Sequence, residues 1–223
     1  MNRVIAIDGP AGSGKSSVSK RVGLDRGFLH VDSGALYRIM TWQTLRAGVD
    51  TEDEAAVAAC AATVEVTWRA EGGAIVFQVD GQVPGEAIRT AEINRHASPV
   101  ARVPAVRTKV TAWLRSLRAL GDIIVEGRDI TSVVFPDTPA RFYLDATPSV
   151  RTIRRHREEI SKGMATQSEA EVMASLLKRD LIDSTRAIAP LVLAPGVMRI
   201  DTSDLTLDQV VARVIAELPV AWQ

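Results

Sequence analysis

Val4-Ile5-Ala6-Ile7-Asp8-Gly9-Pro10-Ala11-Gly12-Ser13-Gly14-Lys15-Ser16 is the stretch on which the fold turns. Its first four residues form a short apolar run that reads as a buried strand. Gly9 to Ser16 then match the pattern G-x-x-x-x-G-K-[ST] in full, and an apolar-periodic helix over about Lys15 to Leu24 follows. Strand, glycine turn and helix in that order make a P-loop. Glycines let the backbone close around an oxyanion without Cβ clashes. Successive backbone N–H groups and the helix N-terminus then face phosphate oxygens. Lys15 brings a mobile positive charge to the outer phosphates, and Ser16 offers a hydroxyl to Mg²⁺. Gly9, Pro10, Ala11, Gly12, Ser13, Gly14, Lys15, Ser16 and Ser17 are the expected ATP-binding residues.

Working outward, further strands are expected at Gly27 to Val31, Asp122 to Glu126, Ala140 to Leu144 and Val197 to Ile200. Helices are expected between them: one opened by Ser33 or Gly34, an Ala-rich one over Glu52 to Ala62, and a pair over Ala91 to Leu120 broken near Pro99 or Pro104. Three more fall over Pro148 to Lys162, Ser168 to Thr185 and Leu207 to Leu218. Alternation of strand and helix predicts an α/β domain with a mostly parallel sheet and its ligands at the strands' carboxyl ends. One segment departs from that rhythm. Val64 to Trp68 and Ile75 to Val79 alternate in polarity around Glu71-Gly72-Gly73, the pattern of an antiparallel hairpin. The chain is therefore expected to be a single domain over 1–223. Its core would be 1–62 and 91–223, with an inserted hairpin over about 63–90.

Composition excludes several classes. The 223 residues are 46% apolar and 24% charged, a globular balance, and 27 Lys plus Arg cancel 27 Asp plus Glu. A nucleic-acid binder usually carries a basic excess. Cys60 stands alone, which forbids an internal disulfide and suits a reducing cytoplasm; it is expected as a small buried helix residue. The apolar run before Asp8 is too short for a signal-peptide core, and no stretch approaches the roughly 20 apolar residues of a membrane span. His30, His96 and His156 share no metal-ligand spacing.

A P-loop alone leaves kinase, hydrolase and switch open. The guanine-reading Asn-Lys-x-Asp of GTP switches does not occur. Glu126 ends a strand, but Gly127-Arg128-Asp129 follows it and resembles an anion site more than a water-positioning acid. Arginines stand where helices and loops meet the sheet edge: Arg38, Arg107, Arg128, Arg179 and Arg186. Arg151, Arg154, Arg155 and Arg157 form a second group on adjoining helix faces. Arg179, Asp183 and Arg186 fall at i, i+4 and i+7, on one helix face. An enzyme that brings two polyanions together needs such cations more than it needs a base.

Four further stretches carry a family resemblance along most of the chain. Asp32-Ser33-Gly34-Ala35-Leu36-Tyr37-Arg38 resembles the D-[ST]-G-A-x-Y-R of bacterial cytidylate kinases. Gly85 to Thr90 resembles the end of that family's extra β insertion. Glu126 to Asp129 with Val133 to Asp137 resembles G-R-D-x-G-T-V-V-F-P-D, except that Thr131 stands where the family usually has glycine. Arg179-Asp180, Asp183 and Arg186 to Leu191 resemble R-D-x-x-D-x-x-R-A-x-x-P-L. The resemblance implies a nucleoside monophosphate kinase core with a mostly parallel five-stranded sheet, an antiparallel β insertion and a helical lid over about 150–170. It implies transfer of a phosphoryl group from MgATP to CMP or dCMP. Lys15, Arg128, Arg186 and Arg154 would be catalytic, and Arg155 would join Arg154 in the lid over ATP. Arg38, Arg128 and Arg186 would clamp the acceptor phosphate beside Ser33. Ser98, Arg107 and Asp129 would read the cytosine, and Arg179 and Asp183 would hold the ribose. Mg²⁺ would arrive with ATP at Ser16. A cytoplasmic monomer is expected, its partners small nucleotides and neither nucleic acid nor membrane. Other acceptors (UMP, AMP, a small metabolite) and a P-loop binding protein without phosphotransfer remain the competing readings.

Overall fold

The computed structural model describes residues 2–161 and 168–223. A sheet lies at its centre, with strands β1 (Val4–Asp8), β2 (Leu29–Asp32), β3 (Val66–Glu71), β4 (Ala74–Val79), β5 (Ile123–Gly127), β6 (Ala140–Asp145) and β7 (Met198–Asp201). The helices are α1 (Lys15–Arg26), α2 (Ser33–Arg46), α3 (Glu54–Thr63), α4 (Ala91–Arg102), α5 (Pro104–Ser116), α6 (Pro148–Ser161), α7 (Glu169–Thr185) and α8 (Leu207–Ala216). Strand order is β3-β4-β2-β5-β1-β6-β7. β1 pairs in parallel with β5 on one side and β6 on the other, so chain direction through the sheet reverses at β1. The crevice outside such a reversal is where open α/β sheets bind ligands.

The sheet has seven strands rather than the expected five. The hairpin β3–β4 is not a free insertion: His30 on β2 pairs with Ala74 on β4, and His30 N donates to Gly73 O at 2.9 Å. β2 would otherwise present an open edge, and an unpaired row of backbone groups recruits a further strand. β3 is the antiparallel member, paired to β4 from Val66↔Val79 to Glu71↔Ala74.

Alternation along the central strands sends side chains into two cores. Val4 and Ala6 of β1 and Ile123 and Val125 of β5 point to the face covered by α2, α3, α4 and α5, where Leu36, Ile39, Val57, Val100, Val110 and Leu114 are buried. Ile5, Ile7 and Ile124 point to the other face, against Val18, Val22, Val210 and Val214 of α1 and α8.

Local chemistry sets the helix ends. Asp32 caps α2 through Ala35 N, Thr90 caps α4 through Ile93 N, and Ser168 with Glu171 and Thr206 with Gln209 form capping boxes on α7 and α8. The break between α4 and α5 falls at Val103-Pro104. Val103 is extended, as a residue before proline prefers, and Pro104 opens α5 where its missing N–H costs nothing. Pro99 sits inside α4 instead. Cys60 on α3 is half-buried, not enclosed. Between β5 and β6, Ile130–Val134 form a single π-type turn. Residues 162–167, within the expected lid, lie outside the described residues; its flanks are the end of α6 and the start of α7, which pack against each other.

Candidate active site

The P-loop joins the carboxyl end of β1 to α1. Gly9 has φ +149°, and a Cβ there would stand 2.0 Å from Leu144 O, so only glycine lets the loop pass β6. Gly12 has φ +77° with Arg151 backbone and Cβ against it. Gly14 precedes α1, and no side chain caps that helix, so its first N–H groups are left for an anion. Lys15 is buried, and Nζ donates to Pro10 O at 2.7 Å. Burial, helped by Arg128 and Arg179, pushes its ammonium down to about 7, against the pull of Glu126 and Asp8. Ser16 and Ser17 are exposed at the helix start. Among the described residues no group of three or more His, Cys, Asp or Glu could hold a metal ion. A cation at Ser16 would therefore draw most of its ligands from phosphate and water, as Mg²⁺ does with ATP.

Two arginines of α6 brace this loop. Arg151 is buried, donating from Nη1 to Ala11 O at 3.2 Å and Asp180 Oδ2 at 2.6 Å, and from Nε to Ala146 O at 3.0 Å. Arg154 donates to Thr202 Oγ1 at 2.9 Å and Thr202 O at 2.6 Å, and Thr202 Oγ1 donates to Ser13 O at 3.1 Å. Arg154 thus stands beside the P-loop, while Arg155 faces across the cleft. Arg155 pairs with Glu159 at 2.8 Å and Glu158 at 3.3 Å and lines a small cavity of about 100 Å³ with Arg38, Glu86, Arg89 and Arg179.

The other arginines gather around two carboxylates. Arg38 on α2 donates to Asp32 Oδ2 at 2.6 Å, and Arg89 reaches the same oxygen at 3.4 Å. Arg128, just past β5, donates from Nε to Asp183 Oδ2 at 2.9 Å. Arg179 and Arg186 each lie 3.9 Å from the Asp183 carboxylate. Burial would push Asp183 up, but Arg128, Arg179 and Arg186 together hold it below the usual carboxylate range. Burial pushes Arg179 down to about 10, with Arg128 adding to the shift. Three of these guanidinium groups have surplus donors: Arg38 Nε, Arg179 Nε and Arg186 Nη2 are buried and make no hydrogen bond among the described residues. Orphaned buried donors are rare in folded proteins, and these three sit on cations.

Arg186 lies one residue beyond α7 rather than on it, in extended backbone. Its Nε donates to Ala189 O at 2.7 Å, and Ala189 has φ +50°, an uncommon conformation for a residue with a side chain. Arg107 on α5 and Asp129 are both buried and hydrogen-bonded to each other, with Arg107 Nη1 also donating to Ala101 O at 2.9 Å. Ser98 is half-buried on α4, one turn before Ala101. Ser33 donates to Glu126 O at 2.6 Å and fixes the start of α2 against β5.

Tyr37 is a site residue that sequence reasoning did not single out. Its ring lies 5.3 Å below the Arg107 guanidinium, and its hydroxyl is buried without a hydrogen bond among the described residues. Burial, with Asp129 nearby, pushes that hydroxyl well above its ordinary value. Its place in the Asp32–Arg38 motif was the available signal. His30 is buried with Nε2 3.3 Å from Glu126 Oε1, and His96 Nδ1 lies 2.7 Å from Thr51 Oγ1, both structural settings.

Comparison with known proteins agrees with this geometry. The family model described as cytidylate kinase matches residues 5–219. A cytidylate kinase of Streptomyces avermitilis is 42% identical over 95% of this chain and 90% of its own length. One of Nocardia farcinica is 40% identical over 96% and 94%, and one of Clostridioides difficile is 38% identical over 97% and 98%. Among solved structures, an uncharacterized protein from Eubacterium ventriosum shares the fold, with TM-score 0.53 at 11% identity over 96% of each chain. With a P-loop at β1, a group of half-buried arginines around Asp32 and Asp183 and a family match along nearly the whole chain, this protein belongs to the cytidylate kinase family.

Proposed function

We propose that the chain transfers the γ-phosphoryl group of MgATP to CMP or dCMP, giving ADP and CDP or dCDP. The observation that carries this beyond family membership is the set of buried guanidinium donors without a hydrogen bond on Arg38, Arg179 and Arg186, the first beside Asp32 and the other two beside Asp183. Such donors fit an acceptor that is itself a phosphate, already mostly dianionic near neutral pH and in need of charge neutralisation more than of a base.

In this reading the P-loop N–H groups and Lys15 hold the ATP phosphates. Nucleotide binding surrounds Lys15 with negative charge and restores the proton that burial has made labile. Ser16 would offer its hydroxyl to Mg²⁺, which would supply charge neutralisation at the phosphates. Arg38 and Arg128 take the acceptor phosphate. Arg186, with Arg154 and Arg155 from α6, stabilises the phosphoryl group in flight. Asp183, which holds Arg128 in the nucleotide-free chain, turns with Arg179 to the ribose. Asp129 accepts from the cytosine amino group while Arg107 and Ser98 donate to its ring acceptors. Uracil reverses that pattern and leaves the same buried groups opposed. α6 and α7 supply the walls that exclude water as the cleft closes. No helix among the described residues is long and apolar enough to cross a membrane. In this proposal the chain acts as a cytoplasmic monomer, its partners ATP, CMP and dCMP.

The test is ADP release from MgATP with CMP, dCMP, UMP, AMP or no acceptor. Fast release with CMP and dCMP alone is expected. A preference for UMP or AMP would overturn the base assignment, and slow release blind to every acceptor would overturn phosphotransfer.

A further inference from the structure

Asp8 ends β1, directly before the P-loop, and is fully buried. Three donors reach its carboxylate. Ile130 N donates to Oδ1 at 2.9 Å; Thr131 N and Thr131 Oγ1 donate to Oδ2 at 2.7 and 2.6 Å. All three belong to the π-type turn that follows immediately on Arg128 and Asp129. The far end of that turn is tied down by Arg115, which donates to Val134 O at 3.1 Å and Val133 O at 2.8 Å. Thr131 itself is fully buried. Glycine at this position, as in the family pattern, would offer the backbone N–H alone. The Thr131 hydroxyl adds a third bond to Asp8.

We propose that Thr131 is a positioning residue for phosphoryl transfer, its hydroxyl locking the Arg128-Asp129 segment to Asp8 and thereby setting the acceptor against the P-loop. This rests on the kinase reading above. The charges around Asp8 fit a bond that has to be held: burial drives its carboxyl up to about 6 and Asp129 adds to that, while the Thr131 and Ile130 bonds oppose it. Lys15 on α1 and Tyr143 on β6 interact with the same carboxylate, and on β5 the residue opposite Asp8 is Gly127. β1 is held by strands on both sides, whereas the turn is tied by side chains: Asp8, Arg115, and Arg141, whose Nη1 donates to Thr131 O at 3.4 Å. Loss of the hydroxyl therefore displaces the turn, not the P-loop, and the defect falls on the acceptor.

The experiment is steady-state kinetics of Thr131→Val, Thr131→Gly and Thr131→Ser beside the wild type, varying CMP and ATP separately. Removing one hydrogen bond to a charged group is worth about ten- to a hundredfold. Thr131→Val and Thr131→Gly are expected to raise KM for CMP by about tenfold or more, with KM for ATP within about twofold of wild type. Thr131→Ser, which keeps the hydroxyl, is expected to recover most of the loss. An unchanged KM for CMP, equal losses for both substrates, or a serine variant as impaired as glycine would overturn the proposal. If Thr131→Val does not fold, the contrast between serine and glycine decides alone. Wild type that turns over no CMP would sink the kinase reading with it; active wild type matched by Thr131→Gly would sink this inference only.

Discussion

Replacing Asp183 by Asn removes one negative charge from the centre of the arginine cluster without changing side-chain volume. Asp183 is 8% exposed at its side chain, bonded to Arg128 at 2.9 Å, with Arg179 and Arg186 at 3.9 Å. Taking one partner from a buried ion pair costs about 3–5 kcal/mol, because the remaining charge stays buried and uncompensated. The Asn amide oxygen can still accept from Arg128, which places the loss at the lower end, about 3 kcal/mol. For a chain of this size each kcal/mol moves the unfolding midpoint by about 2–4 °C, so a fall of about 6–12 °C is expected. The arginines hold Asp183 below its unfolded pKa, so its contribution is complete above the unfolded value near pH 3.8 and lost only as pH falls through the lower folded one. The gap between wild type and variant should then be flat between roughly pH 5 and 8. Added CMP, or inorganic phosphate at millimolar concentration, should narrow it, since a bound phosphate supplies the missing charge. The assay is thermal unfolding with and without these ligands. A drop under about 2 °C, or one that phosphate leaves untouched, would refute the view that these arginines are an anion clamp balanced by one carboxylate.

Lys15→Met should abolish phosphotransfer and yet stabilise the nucleotide-free protein. The folded pKa of about 7 lies below the unfolded 10.5, so the penalty for burying the ammonium is fully present below pH 7 and fades as pH rises toward 10.5. A gain of a few degrees at pH 6.5 that shrinks by pH 9 is expected in thermal scans; a loss at both pH values would count against it. Asp129→Ala should cut the ratio of kcat/KM for CMP over UMP by about 10- to 100-fold, the worth of one or two polar contacts, and an unchanged ratio would remove Asp129 from base reading. Gly9→Ala should fold and fail to bind ATP, because the new Cβ would meet Leu144 O and push the P-loop off β6; calorimetric titration showing ATP affinity within threefold of wild type would contradict that.

How much of this was legible in the sequence depends on the range of the interactions involved. The strands at Val4, Ile123 and Ala140, and the helices α1 and α6 that follow the first and last of them, stand within about two residues of expectation, because their own apolar patterning carries them. The P-loop was legible because one contiguous pattern specifies strand, turn and helix together. The sheet's true width was not. Pairing of β4 with β2 is a contact between segments far apart in sequence, and hairpin periodicity says nothing about which edge the hairpin will cover. The turn at Ile130–Val134 was hidden for a related reason. Its run of β-branched residues favours a strand, and what overrides that preference is a carboxylate 122 residues away accepting the N–H groups of Ile130 and Thr131. Arg151 shows the same limit from the other side. By spacing it belonged to a surface cluster with Arg154, Arg155 and Arg157, yet it is buried behind the P-loop, holding Ala11 and Asp180. Sequence pattern thus located the chemistry of this site; the bonds that fix its two halves at a set distance, Asp8 to Thr131 and Arg151 to Ala11, come from the tertiary fold, between residues 123 and 140 positions apart.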